Sequence, residues 1–442
     1  MTDSDALADF ATSVTLESAP STVVEKLKTT LLHNLGMLRA GSCAATAGLA
    51  LSNSYDGPGS ASLLHDGRKT HRDRAVLANA AMLHARTQDD THLPAITHLA
   101  ATCLPALIAV AESEALPGPD LLTGMLVSYE VGAAVAVDVG PACSSRGFRP
   151  SSALGGVAAS AGAARLMGLG HSAVASAIGL AASFGGGTGQ TWVAGTDEWQ
   201  YQVGVAGRNG MLAAELAAAG ARGAAASLEG AAGLYTAFTG TREPHTSPMD
   251  LGAHWRTLEV TYKPFPVCAI NQMPVTVLLA MMDQFGFSAA DIDSAQLHLS
   301  PAEAAYPGTD TYGPFASPSG ALMSAPFCLA VAARERTVTR AMVEAFDDKD
   351  ALALSDRIKV ISDRSLKQGE CLITIEGRQG RFRSDQIATP APFDWDFDEV
   401  YQRLVSMGPE LGMNRGALDG MADCLRDFEN RSVADLVAAA TA

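Results

Sequence analysis

The sequence reads as a mostly α protein, with a large all-helical domain built from both chain ends and a smaller α+β domain inserted near the C-terminal third. Three observations give this class. From about Asp5 to Gly240, Ala-rich stretches carry apolar residues at helical spacing. Near residue 258 the texture changes to short runs rich in Ile and Val that alternate like strands. After Ala388 helical periodicity returns and continues to the end. The expected boundaries are 1–258 for the first part of the helical domain, 259–390 for the α+β domain and 391–442 for the return segment.

The segment Ser21–Ala40 starts at the Pro20-Ser21 signal and carries Val24, Leu27, Leu31, Leu35 and Leu38, the stripe of a core-facing helix. Further helices are expected over Arg74–Ala85, Ala100–Ala115, Pro119–Val139, Ser152–Met167, Ser172–Ala182 and Gly207–Ala219. Several are apolar all round, which predicts burial between other helices. Leu258–Tyr262, Ala295–Leu299, Asp356–Asp363 and Glu370–Glu376 are expected strands of a small sheet, with helices over Pro274–Phe285 and Ala321–Ala333. The prolines of Thr389–Val400 mark a linker, Asp396 or Asp398 can start a return helix, and Glu399–Met407 and Ser432–Ala440 are helical.

The chain has 442 residues, of which 48% are hydrophobic and 18% charged, ample for a buried core. Lys and Arg total 31 against 47 Asp and Glu, a net charge of −16. Such a surface repels nucleic acid and anionic membranes, so neither is an expected partner. An anionic substrate would need a local cluster of cations. The seven cysteines are scattered, with no C-x-x-C pair and no His at ligand spacing, so reduced thiols are expected, Cys103 and Cys328 among them as core residues. No basic stretch precedes an apolar one at the N-terminus, and apolar runs such as Leu99–Ala111 fall short of the ~20 residues that span a bilayer. A cytoplasmic location follows as an expectation.

Three polar clusters and one Gly-rich loop stand out. Gly185–Gly189 (GGGTG) lacks the Lys-Ser/Thr of a phosphate cradle and reads as a turn between helices. Asp89, Asp90, Thr91, His92 and His98 crowd a Pro-punctuated segment between buried helices. Helix capping by Asp90 or Thr97 and metal binding are alternatives there. Acid–base use of His98, with Asp89 or Asp90 orienting it, fits the residue types best. Arg146 and Arg149 flank a helix start at Pro150-Ser151-Ser152, either an anion site or a capped helix with solvated arginines. Lys263 sits among aromatic and Pro residues where the texture changes, and burial would tune its pKa.

Taken in order, these segments resemble the MmgE/PrpD family. Asp89-Asp90-Thr91 with His98 resembles the D-D-T-H region, and Gly147-Phe148-Arg149-Pro150 the G-F-H-P segment. Val203–Gly210 is similar to the H-x-G-x-A-A-x-x-G stretch, and Leu228–Gly233 to the E-G-x-x-G turn. Lys263–Cys268 resembles K-P-Y-P-x-C, and Ser324–Phe327 the S-x-P-Y/F segment. The resemblance implies a homodimeric enzyme without metal or cofactor, its α+β part acting as a lid, with a pocket for carboxylic acids between the two parts. His98, Lys263, Asp89 and Asp90 would then be catalytic, and Thr91, Arg149, Arg146, Trp199, Gln202 and Gln272 would line the substrate. The chain departs from the family pattern where Arg149, Gln202 and Gln272 replace histidines, Thr87 replaces an acid, and Trp199 replaces Lys or another polar residue. A guanidinium cannot shuttle a proton as an imidazole does. His98 and Lys263 therefore remain as the titratable pair.

A cofactor-independent lyase is the function so implied: a dehydratase or decarboxylase working by α-proton abstraction. An isomerase, epimerase or carbanion-type cyclase could use the same proton-transfer residues, and a binding protein that has lost the chemistry is the third alternative.

Overall fold

A computed structural model describes residues 2–54, 57, 59–241, 250–384 and 391–442, and the protein is mostly α. Its helices begin α1 (Asp3–Ser13), α2 (Ser21–Gly41), α3 (Thr46–Asn53), α4 (Arg72–His84) and α5 (Leu99–Ser113). They continue α6 (Gly118–Ser145), α7 (Pro150–Leu166), α8 (His171–Ala182), α9 (Gln190–Ala194) and α10 (Glu198–Ala218). The chain divides into two compact units. The first comprises Met1–Thr188, Trp199–Tyr262 and Trp395–Ala442; the second comprises Gly189–Glu198 and Lys263–Asp394. Gly189–Glu198, which the sequence reading left in the helical body, thus belongs to the second unit. The expected end of the insertion at residue 390 and the linker's Thr389 and Pro390 lie outside the described residues.

In the first unit α7 packs against α5, α6 and α8, and α5 packs also against α4. Helix α6 has the length and apolarity to cross a bilayer, longer than any run expected from the sequence, yet 89% of its most apolar window is buried inside the unit. It is a core helix. The return helices Phe397–Ser406 and Arg415–Arg426 pack on α2. Asp396 and Glu399 form a reciprocal capping box that starts the first of them.

Small residues set how closely these helices approach. Helix α10 begins nine residues before the expected Gly207 because Gly204 and Gly207 are contact points rather than breakers. A methyl group at Gly207 would run into the carbonyl oxygen of Thr102 on α5, and one at Gly210 would lie 2.5 Å from the Gly156 carbonyl on α7.

The helical body is not purely helical. Thr91–His92 pairs antiparallel with Val260–Thr261, and Ala61–Ser62 with Lys69–Thr70. Leu258–Tyr262 was expected as a strand of the C-terminal sheet. Instead Arg256–Glu259 forms a 3-10 turn, and only Val260–Thr261 is extended, pinning the Asp89–His98 loop. Where the chain leaves this unit, the Tyr262 ring stacks on Trp395, the point of re-entry, at 5.9 Å between centroids. His33 packs on Tyr262 at 4.7 Å and donates through Nε2 to the carbonyl of Gln88 at 2.7 Å, so exit, re-entry and loop share one anchor.

The second unit holds a mixed sheet in the order Ile358–Ser362, Ile292–Leu299, Cys371–Gly377, Gly380–Arg383. The first pair is parallel and the others antiparallel. Ala295, Leu297 and Leu299 are buried while Gln296 is exposed, the period-two signal of a sheet with one covered face. Ala269–Phe285 and Ala325–Glu335 pack on each other and on this sheet. The single helix expected over Ala321–Ala333 is two, Pro318–Met323 and Ala325–Glu335. Ser324 caps the second through the N–H of Phe327, and Pro326 has no N–H to continue the first.

Gly207→Ala is expected to destabilise the protein by about 1–3 kcal/mol through forced separation of α10 from α5. Gly420→Ala, in a helix interior with nothing within 4 Å of the new methyl, is expected to stabilise it by about 1 kcal/mol. Thermal midpoints moving in opposite directions would bear this out; a Gly207→Ala protein as stable as the parent would refute the close-packing account.

Candidate active site

The loop between α4 and α5 is buried almost throughout, so its backbone groups need internal partners. The Asp90 N–H donates to Asn34 Oδ1 at 3.2 Å, and His92 and Thr97 exchange backbone bonds of 2.9 and 3.3 Å. The loop also holds Thr87 at φ 55° and Ile96 at φ 53°, left-handed positions that β-branched residues occupy only under constraint.

Asp90 is fully buried as well. Its carboxylate accepts from the Tyr129 hydroxyl at 2.5 Å and from the Ala100 N–H at 3.0 Å, which caps α5. Burial, reinforced by this carboxylate, pushes the Tyr129 phenol well above its usual pKa, so it stays a donor. Asp90 reaches the site through its backbone: its carbonyl lies 3.0 Å from His98 Nδ1.

Asp89 is fully buried and lies between two imidazoles. Its oxygens are each 2.9 Å from His84 Nδ1, and Oδ2 is 3.3 Å from His98 Nδ1. The two rings are 4.9 Å apart. On its far side His84 Nε2 meets the Arg149 guanidinium in a short hydrogen bond. Burial drives the His84 pKa down to about 3, outweighing the pull of Asp89, with Arg149 and His98 lowering it further. His84 is therefore neutral at pH 7. The side chain of His98 is 18% exposed, the most accessible member of this group. Since the Asp90 carbonyl can only accept, Nδ1 of His98 carries the proton and Nε2 is its basic nitrogen.

Arg149 is the N-cap residue of α7 and is 3% exposed. It donates through Nη1 to the Trp199 carbonyl at 2.6 Å and to Gln202 Oε1 at 3.4 Å. Trp199 lies edge-on to His84 at 5.0 Å. Gln202 also accepts from Ser152 and donates to the Thr188 carbonyl. The Gly-rich loop backs this arrangement: the Gly187 carbonyl accepts from the Arg149 N–H at 3.1 Å, and a side chain at Gly187 (φ 105°) would strike Ser152. The loop is thus a close-packed turn.

The remaining expected residues fall elsewhere. Arg146 is exposed and donates to the Ala237 carbonyl. The Thr91 hydroxyl is buried with no hydrogen-bond partner among the described residues. In the second unit, Lys263 is 3% exposed. Gln272 is buried there, bonded to the backbone of Phe265, Val267 and Cys268, so it clamps the Lys263–Cys268 segment instead of lining a substrate.

His84 is the residue missed from sequence. It stands at the end of α4, five positions before Asp89, where a polar ring reads as a last-turn residue. His84, Asp89 and His98 offer ligand atoms within 4.8 Å of one another, a spacing a divalent ion could use. Here, however, both Nδ1 atoms face Asp89, and a guanidinium faces His84 Nε2, so an incoming cation would meet a fixed positive charge.

The fold and this buried cluster define a class: a helical protein with a carboxylate held between two imidazoles inside its body and an α+β second unit. Its sequence matches the MmgE/PrpD N-terminal domain over residues 5–247 and the MmgE/PrpD C-terminal domain over 265–391. The chain belongs to the MmgE/PrpD family. It is 24% identical over 363 residues to a cis-aconitate decarboxylase of Aspergillus terreus, covering 77% of this chain and 74% of that one. It is 28% identical over 274 residues to the cis-aconitate decarboxylase-like protein oryM of Aspergillus oryzae, covering 58% of this chain and 57% of the relative.

Because His84 is held neutral, the unfolded chain binds one more proton than the folded one between about pH 3 and ~6.5. Its contribution to stability is complete above ~6.5 and is lost as pH falls toward 3, at up to about 1.4 kcal/mol per pH unit. The stability margin of the parent over His84→Gln is expected to narrow between pH 7 and pH 5 in urea titrations. A margin independent of pH would contradict a neutral His84.

Proposed function

We propose that this protein is a lyase of the dehydratase or decarboxylase type that acts on a small carboxylic acid through proton transfer at His98, without a cofactor. The observation that carries the proposal is the pairing of His98, the accessible imidazole, with the fully buried Asp89. Such a pair orients the ring and stabilises the imidazolium that forms when it takes a proton. Membership of the family and relatives named cis-aconitate decarboxylase support a carboxylate substrate.

For dehydration, His98 Nε2 takes the proton α to a carboxylate. The electron pair moves into the new C=C bond, and the β C–O bond breaks. The departing hydroxide recovers the proton as water. For decarboxylation, His98 starts as the imidazolium with a proton taken from solvent; the C–C bond to the carboxylate breaks, CO2 leaves, and Nε2 gives that proton to the carbon that keeps the electron pair. In both, negative charge grows on the substrate and needs fixed cations, worth several kcal/mol in a closed site. Arg149 contributes its charge from beside His84. The orphaned Thr91 hydroxyl is assigned to the substrate as a hydrogen-bond partner.

His98→Gln is expected to lower turnover by roughly 10²–10⁴-fold, the usual contribution of a general acid–base group. Turnover is to be read by NMR in D2O on a panel of hydroxy-, unsaturated and amino-linked diacids, cis-aconitate among them. Deuterium entering carbon with loss of water or CO2 supports the lyase, and entry with the skeleton intact would make the protein an isomerase. Undiminished turnover in His98→Gln would overturn the assignment of the base, and activity abolished by a chelator and restored by a divalent ion would overturn the absence of a metal.

A further inference from the structure

Arg149 stands where the family pattern has an imidazole, and the expectation from sequence was a substrate ligand. Its surroundings assign it a different task. A guanidinium has N–H donors and no acceptor, so the ring nitrogen it faces must accept. The Arg149 Nη2 contact is with His84 Nε2, which therefore carries no proton, and the one proton of the neutral ring sits on Nδ1. That nitrogen lies 2.9 Å from both oxygens of Asp89, which must accept from it. The same Asp89 then faces a second Nδ1–H, that of His98, at 3.3 Å. The other Arg149 bonds, to the Trp199 carbonyl and Gln202, hold the guanidinium in its buried place. The Trp199 indole closes against His84 from the side.

We propose that Arg149 is a positioning residue: by donating to His84 Nε2 it locks His84 as a neutral spacer protonated on Nδ1, so that of the two imidazoles beside Asp89 only His98 can carry the reaction's proton. Two imidazoles around one carboxylate would otherwise compete for a proton, and a proton resting on His84 would weaken Asp89 as the partner of His98. The titratable and charged groups facing His84 are Asp89, Arg149 and His98, from the site loop and the start of α7. Asp89 is the one anion among them, and with His84 closed to protonation its charge acts on His98. The chain thereby replaces one proton-carrying ring by a fixed charge and concentrates acid–base function in a single residue. The assignment of the tautomers stands on the hydrogen bonds alone; the consequence for turnover rests on the lyase reading above.

The test uses the full chain labelled with ¹⁵N-histidine, with His84→Gln and His98→Gln variants to identify the two rings among ten histidines. In the unsubstituted protein, His84 is expected as the Nδ1–H tautomer with no titration between pH 5 and 9. In Arg149→Gln the His84 titration is expected to move upward from about 3; in Arg149→Lys, which keeps a donor-only cation, it should stay where it is in the unsubstituted protein. An Nε2–H tautomer at His84 in the unsubstituted protein would overturn the proposal, as would unchanged His84 behaviour in Arg149→Gln. The first decision, the tautomer of His84, needs no turnover. With cis-aconitate as the kinetic probe, Arg149→Gln should lower kcat by roughly 10²-fold or more with KM changed less than threefold, as for loss of a tautomer-fixing group. A tenfold rise in KM at unchanged kcat would make Arg149 a substrate ligand instead. Failure of every acid in the panel to react would remove the lyase reading and leave the tautomer assignment to be judged by NMR.

Discussion

A carboxylate shut away from water must be matched by donors, and the matching of Asp89 is the constraint on which the rest of the first unit turns. Two imidazole Nδ1 atoms meet it, one from the end of α4 and one from the start of α5. Each imidazole is in turn fixed on its other side or by the loop backbone: His84 by Arg149, His98 by the Asp90 carbonyl. Removing any partner would leave a buried charge or polar atom uncompensated, an expensive state, so the relay and the packing around it hold together as one structure.

The adjacent acid, Asp90, shows how neighbours of the same chemistry diverge. Asp89 faces rings, whereas Asp90 faces the Tyr129 hydroxyl and the first turn of α5. A capped helix start fixes the backbone at Asp90, whose carbonyl holds His98, so a structural carboxylate sets the position of the imidazole. The ladder between Thr91–His92 and Val260–Thr261 and the His33 bond to Gln88 secure the same loop from two more directions. The left-handed Thr87 and Ile96 persist because these contacts over-determine the backbone.

Close helix packing makes such a buried loop possible. Gly207 and Gly210 let α10 approach the carbonyls of α5 and α7, which brings Trp199 and Gln202, near the start of the same helix, against Arg149 and His84. The helix expected from sequence starts only at Gly207 and leaves Trp199 and Gln202 outside it. In the fold those glycines are what allows the helix to reach the site.

Periodicity was enough to establish from sequence the helical class, the β-rich C-terminal texture and most helix positions, because burial imposes a 3.6- or 2-residue repeat on the chain itself. That His98 and Asp89 lie together was also legible, as polar residues crowded into an apolar context. The roles of the other residues were decided only by tertiary structure. His84 looks like a helix-end residue until Asp89 and Arg149 close on its two nitrogens. Asp90, Arg146 and Gln272 look like site residues until their hydrogen bonds go to a helix start, a carbonyl and a loop backbone. The physical reason is that propensity and periodicity are local, whereas a polar side chain's role is set by the partner it meets across the fold.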